Sequence, residues 1–225
     1  MTNDAAPTTV VIIGTMHLPP EEYPEFGKWL SAAIEEIAPD VICAELSPEQ
    51  LAGTQSCDSK PEQRDIVIPT AKRLGIPIMT FQPRTADALE WQDRLTAIDR
   101  EMREQDPYKH YLTCLDNLAM KEAELWQQHM KSADCIEDLQ LNEYHVFCEA
   151  RDRTHAELMP KHAKLFEEWN EFFLADILEA IEKNKGNRLL IIAGNWHKYW
   201  LHDKLQQEKA VTVHNLQSYR ESLRS

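Results

Sequence analysis

Two stretches of this chain have the composition of a fully buried strand. They are "VVIIG" at Val10–Gly14 and "LLIIAG" at Leu189–Gly194. A strand that is apolar on both faces needs a helical layer on each side, the situation of a parallel sheet in an α/β protein. Between them lies a long segment of another kind. From Thr85 to Lys185 there is no glycine, and the prolines are Pro107 and Pro160. Leu, Ala, Glu, Lys, Gln and Met dominate it, all good helix formers. The two runs can therefore share one sheet only if the middle loops out as helices and the last part of the chain returns to the first.

The flanking segments fit that plan. After the strand at 8–13, Pro19 and Pro20 bracket a turn, and Phe26, Trp29, Leu30, Ala33, Ile34 and Ile37 recur at helical spacing until Pro39-Asp40 stops the helix. Val41–Leu46 reads as a second strand ending at Glu45, 61–74 as a helix closed by Gly75, and 76–81 as a third strand. Alternation of this sort implies parallel strands with crossover helices. Four to six helices are expected in the middle, broken near "QDPY" and "LMPKH". After Gly186-Asn187 a strand, a helix starting near Asn195–His197 and a last strand in "AVTVHNL" complete the sheet. The expected fold is α/β, with a mostly parallel sheet built from the N- and C-terminal segments. A split core at 8–84 and 186–216 is interrupted by an all-helical insertion at 85–185.

Bulk properties narrow the partners. With 24 Lys and Arg against 38 Asp and Glu, the formal charge is −14. That balance disfavours nucleic acid or an anionic membrane as the main partner. No run approaches the ~18 apolar residues of a membrane span, and "MTNDAAPTT" lacks the basic start of a secretory signal. Five cysteines without a Cys-x-x-Cys pair read as reduced thiols, so a cytoplasmic location is expected.

Each buried run ends in the same short element, Gly14-Thr15-Met16-His17 and Gly194-Asn195-Trp196-His197, about 180 residues apart. Ligands of open parallel sheets bind outside the carboxyl ends of the strands. Glycine there permits an unusual backbone angle or a close approach. Glu45 ends the second strand, and the loop after the third carries Arg84. Two histidines and a carboxylate at one edge suit a divalent metal (Zn, Mn, Co or Fe) with a bound water. They equally suit a metal-free set, with histidine as base and Glu45 activating or orienting water. No nucleotide-binding fingerprint is present, so no nucleotide cofactor is expected.

The stretches "VVIIGTMHL", "IAPDVICAELS" and "RLLIIAGNWHKYWLHDKL" resemble the superfamily that includes TraB/PrgY pheromone-shutdown proteins, Tiki proteases, the GumN and ChaN groups and erythromycin esterases. The likeness covers the sheet at both ends of the chain and hardly touches the middle. It implies a split α/β core, a helical insertion forming a pocket over the sheet edge, and hydrolysis at His17, Glu45 and His197. The hydrolysis is metal-dependent in Tiki-like members and uses His/Glu activation of water in the esterases. Many members carry an Arg-Asn pair on the helix before the second motif. Here that place is Trp169-Asn170, so Asn170 matches and the arginine is replaced. Arg151, in "CEARDRTHAEL", or Arg84 would then supply the positive charge.

The expected function is hydrolysis of an ester or amide bond in a small molecule or peptide. The alternatives are a non-catalytic metal or haem carrier using the same histidines, and an interaction module whose site has decayed. A homodimer joined through the helical middle is a further expectation. Cys148, Arg151, His155 and His162 fall near one helix face. The seven-residue spacing of the two histidines is not that of a chelating i, i+4 pair.

Overall fold

The computed structural model describes residues 7–104, 110, 112–114, 117, 120, 121, 124, 133–138 and 140–224. Five strands form one parallel sheet: β1 (Thr8–Thr15), β2 (Val41–Ala44), β3 (Ile78–Thr80), β4 (Arg188–Gly194) and β5 (Val211–Asn215). Their order is β3-β2-β4-β1-β5. The two buried runs lie side by side at the centre, with Val10 opposite Leu189 and Thr15 opposite Gly194. The fold is thus α/β, with a sheet assembled from both ends of the chain.

The apolar runs are continuous because both faces are covered. Val11, Ile13, Ile42, Leu190 and Ile192 pack on α1 (Pro24–Ile37), through Phe26, Leu30, Ile34 and Ile37. Val10, Ile12, Cys43, Leu189 and Ile191 point the other way, onto Phe173, Ile177, Leu201 and Leu205. This is the two-residue period of a strand. Each such fully buried side chain contributes roughly 1.5–3 kcal/mol through removal from water.

Local signals set the ends of the elements. Pro24 starts α1, and Ala38 ends it in the left-handed region at φ 46°, its N–H bonded to the Ile34 carbonyl. After β2 come a short helix α2 (Pro48–Leu51) with a Ser47/Gln50 capping box, a π-helical turn (Gln63–Val67) and α3 (Ile68–Leu74), closed by Gly75 at φ 70°. The insertion contains α4 (Thr85–Glu104), α5 (Ala133–Asp138), α6 (Asn142–Leu158) and α7 (Pro160–Lys183). The "QDPY" break expected at Gln105–Tyr108 lies outside the described residues. The break at "LMPKH" falls at Met159, because Pro160 cannot continue the preceding helix. It places His162 on a different helix from His155, yet the two rings meet at 4.7 Å between centroids.

After β4, α8 (Asn195–Leu205) begins at once, with Gly194 as its N-cap. A final helix, α9 (Leu216–Ser222), follows β5 and is capped by the Asn215 side chain on the Ser218 N–H. Among the described residues no helix is long and apolar enough to cross a membrane.

Candidate active site at the carboxyl edge of the sheet

The two Gly-x-x-His elements interlock through their glycines. A Cβ at Gly14 would lie 1.7 Å from Asn195 Oδ1 and 2.9 Å from Lys198 Cδ. A Cβ at Gly194 would lie 3.0 Å from His17 Nε2 and 3.4 Å from Glu45 Oε2. Each glycine thus leaves the space that a residue of the other element fills. His17 itself sits in the left-handed region at φ 53°. A non-glycine residue held there is strained, and such strain clusters at working sites.

Three pairs of side chains build the site. His17 Nδ1 is 2.8 Å from Glu62 Oε1, and its Nε2 is 3.9 Å from Glu45 Oε1. Glu62 is fully buried and also accepts from the Thr15 hydroxyl at 3.0 Å, while its Oε2 has no partner. Glu45 Oε2 accepts the Gly194 N–H at 2.5 Å, and Oε1 lies 2.8 Å from the Lys60 ammonium. Lys60 also donates to the Glu45 carbonyl at 2.9 Å and to Gln82 Oε1 at 2.6 Å. Those three partners match the three donors of an ammonium. His197 Nδ1 lies 2.5 Å from Asn170 Oδ1, with Phe166 stacked at 5.1 Å and Phe173 tilted at 4.8 Å.

These surroundings drive the two histidines apart. Burial works against the charged form of His17, but the bond to Glu62 and the charges of Glu45 and Glu62 overcome it and raise the pKa above 6.5. At His197 burial prevails over the attraction of Glu45, and the pKa falls to about 4. Asn170 Oδ1 is an acceptor, so it fixes the proton on His197 Nδ1 and leaves Nε2 as a free base. Burial would raise the Glu45 pKa, but Lys60, His17 and His197 hold it down at about 2.

His17, Glu45, His197 and Asn170 are thus gathered at one edge. Trp169, at the place of the expected arginine, is buried against Trp91 at 4.5 Å and against Phe173. Arg151 stacks at 4.2 Å over Trp196, the neighbour of His197 in sequence, and pairs with Asp152 at 2.8 Å rather than with Glu45. Arg84 is exposed ahead of α4, and the cation beside Glu45 is Lys60. Lys60 and Glu62 were not singled out from sequence. Their signal is faint: two charged residues flanking Pro61 at a helix start, where charge normally faces water.

The set does not fit a divalent metal as arranged. Both Glu45 oxygens are engaged, one by an ammonium that would repel the ion. Among the described residues, the group whose ligand atoms lie within 4.8 Å of one another is instead His145, His202 and Asp203. A cavity of about 340 Å³ borders Asn170 and Phe166 and is also lined by Asp152, His155, Tyr199 and Trp200. A larger one, about 490 Å³, lies against Pro48, Met79 and Asp176 and holds none of the site residues. Phe172 and Trp196 are half-exposed large apolar side chains on α7 and α8. Comparisons of the chain with protein-family models, curated proteins and solved structures return no match.

Proposed function

We propose that the carboxyl edge of the sheet is a metal-free hydrolytic centre for an ester or amide. The observation that carries this reading is the contrast in partners on Nδ1 of the two histidines around Glu45: a buried carboxylate, Glu62, on His17 and a neutral amide, Asn170, on His197, which push their pKa values in opposite directions. Titratable groups driven apart by their surroundings are the mark of an acid–base pair. Neutral His197 takes a proton from water at Nε2 as the water oxygen attacks the carbonyl carbon. His17, charged through Glu62, donates its Nε2 proton to the leaving oxygen or nitrogen as that bond breaks. Glu45 holds the charge of His17 and, through Gly194, the start of α8. Glu62 and Asn170 are positioning residues, each acting through the Nδ1 of its histidine. The cavity beside Asn170 and Phe166 receives the substrate. The reading is consistent with the esterase branch of the superfamily that the two motifs resemble, in which His and Glu activate water.

A panel of aryl esters and peptide amides tests it. Turnover is expected to fall by roughly 10²–10⁴-fold in His17→Ala and in His197→Ala, the range for loss of a general acid or base. The pH profile of kcat/KM should be bell-shaped, rising above about pH 4 as His197 deprotonates and falling again on the alkaline side as His17, whose pKa is held above that of a free imidazole by Glu62 and Glu45, loses its proton. Hydrolysis unaffected by either substitution, or none across the panel, would overturn it. A Soret band in purified protein would point to the haem-carrier alternative.

A further inference from the structure

Away from the glycine-histidine edge, two helices from different parts of the chain bring together three metal-ligating side chains. His145 lies on α6, in the insertion, while His202 and Asp203 lie on α8, which belongs to the core. His145 Nε2 is 3.2 Å from Asp203 Oδ1, and His202 Nδ1 is 3.6 Å from the same oxygen. The imidazole rings are edge-to-face at 5.5 Å between centroids. All three ligand atoms fall within 4.8 Å of one another. Tetrahedral zinc with bonds near 2.0–2.1 Å sets its ligand atoms about 3.3 Å apart. The two edges to Asp203 are already close to that spacing, and the remaining one closes by a small rotation of the rings.

The partners of these groups point the same way. His202 Nδ1 is buried and makes no hydrogen bond, while Nε2 lies 3.5 Å from the Gln206 amide. The Gln206 nitrogen is a donor, so in the metal-free chain the ring proton sits on Nδ1, facing Asp203; a metal at Nδ1 displaces that proton, and the Gln206 amide turned about its last bond then accepts from Nε2–H through its oxygen. His145 also packs edge-on to Tyr199 at 5.6 Å, which fixes its plane. Asp203 has half its side chain in solvent, so an ion can enter and a water can complete the coordination. Two imidazoles and one carboxylate select zinc or a neighbouring transition metal over magnesium or calcium.

We infer that His145, His202 and Asp203 form a zinc-class metal site that staples α6 of the insertion to α8 of the core. A metal bound there reinforces a junction of two helices already made by the Tyr199–Asp152 hydrogen bond, the Arg151–Trp196 stack and the His145–Asp203 pair. Bound zinc stabilises the docked state by mass action. The helix it stabilises carries Asp152 and His155, two walls of the cavity beside Asn170. Zinc would therefore tune that cavity without entering the acid–base pair.

The test is a zinc titration of chelator-stripped, full-length protein, followed by calorimetry and thermal melting. Wild type is expected to bind one zinc per chain and to melt at higher temperature with zinc than in chelator. Asp203→Asn and His202→Gln should each weaken binding at least about tenfold and abolish the rise in Tm between chelator and zinc, each variant compared with its own melt in chelator. His17→Ala should bind zinc as wild type does. Because Asp203 is half exposed, its substitution tests the site even where His145→Ala fails to fold. No zinc binding up to millimolar concentration overturns the assignment. So does binding that survives Asp203→Asn and His202→Gln, or binding lost with His17→Ala.

Discussion

The two Gly-x-x-His elements have the same spacing and opposite chemistry. The first leaves its strand through a strained turn, and its histidine meets a buried carboxylate, Glu62. The second runs straight into a helix, and its histidine meets a neutral amide, Asn170, under two phenylalanine rings. The motif places the imidazoles, and the partner on Nδ1 decides their charge. Sequence symmetry at the edge of a sheet is therefore compatible with a division of labour between acid and base.

The largest effect should come from breaking the interlock. Gly14→Ala drives a methyl into Asn195 and Lys198 and is expected to cost about 3 kcal/mol in urea unfolding, the upper end for overpacking. Gly194→Ala meets the far end of His17 and should cost less, about 1–2 kcal/mol, while displacing that ring.

The next contrast is in pH. The pKa of His197 is lower folded than unfolded, so the unfolded chain takes up a proton first. Stability is expected to fall by roughly 3 kcal/mol between pH 6.5 and about 4 on its account. Glu45 adds to the loss from pH 4.5 down to about 2. His17 has the reverse sign: its contribution is complete below pH 6.5 and is lost as pH rises through its elevated folded pKa. Urea midpoints at pH 7 and pH 5 measure the net. Asn170→Asp gives His197 a carboxylate partner like that of His17 and should flatten the fall. An unchanged midpoint difference in that variant would break the comparison.

A smaller effect sharpens it from the other side. Glu62→Gln removes the carboxylate from His17 and should lower its pKa, leaving burial less opposed, a change read from imidazole proton shifts against pH. His197 should move little. The smallest effect is expected at exposed Arg84. Arg84→Ala should alter stability by less than about 0.5 kcal/mol and leave turnover unchanged.

Much of this architecture is legible in the residues themselves. The central strands betray themselves because burial on both faces demands unbroken apolar runs, and the insertion because it lacks glycine. Glu45, His17 and His197 are visible because a strand end is the one place where such runs meet polar groups. The partners are not visible. Glu62 reaches His17 across 45 positions only because the helix start after Lys60 folds back over the edge, and no local pattern encodes that packing. Lys60 reads as a surface lysine until its three acceptors are in view. The last helix escapes because one asparagine cap after a strand is a weak signal, whereas Asn170 is found only through a resemblance that places it on a particular helix.

One contact in the insertion reaches further than its size suggests. Strand β5 runs alongside β1 only as far as Ile12, and there Gln140 takes over, its side-chain amide donating to the Gly14 carbonyl at 2.9 Å and accepting the Gly14 N–H at 3.0 Å. A glutamine from the helical region thus stands in for the missing strand residue, three positions before His17. With Gln140 undocked, the Gly14 N–H at the root of the histidine turn would lose its acceptor. The deuterium uptake of this single N–H therefore reports how firmly Gln140 holds the end of β1, readable without substrate and without knowing what the substrate is.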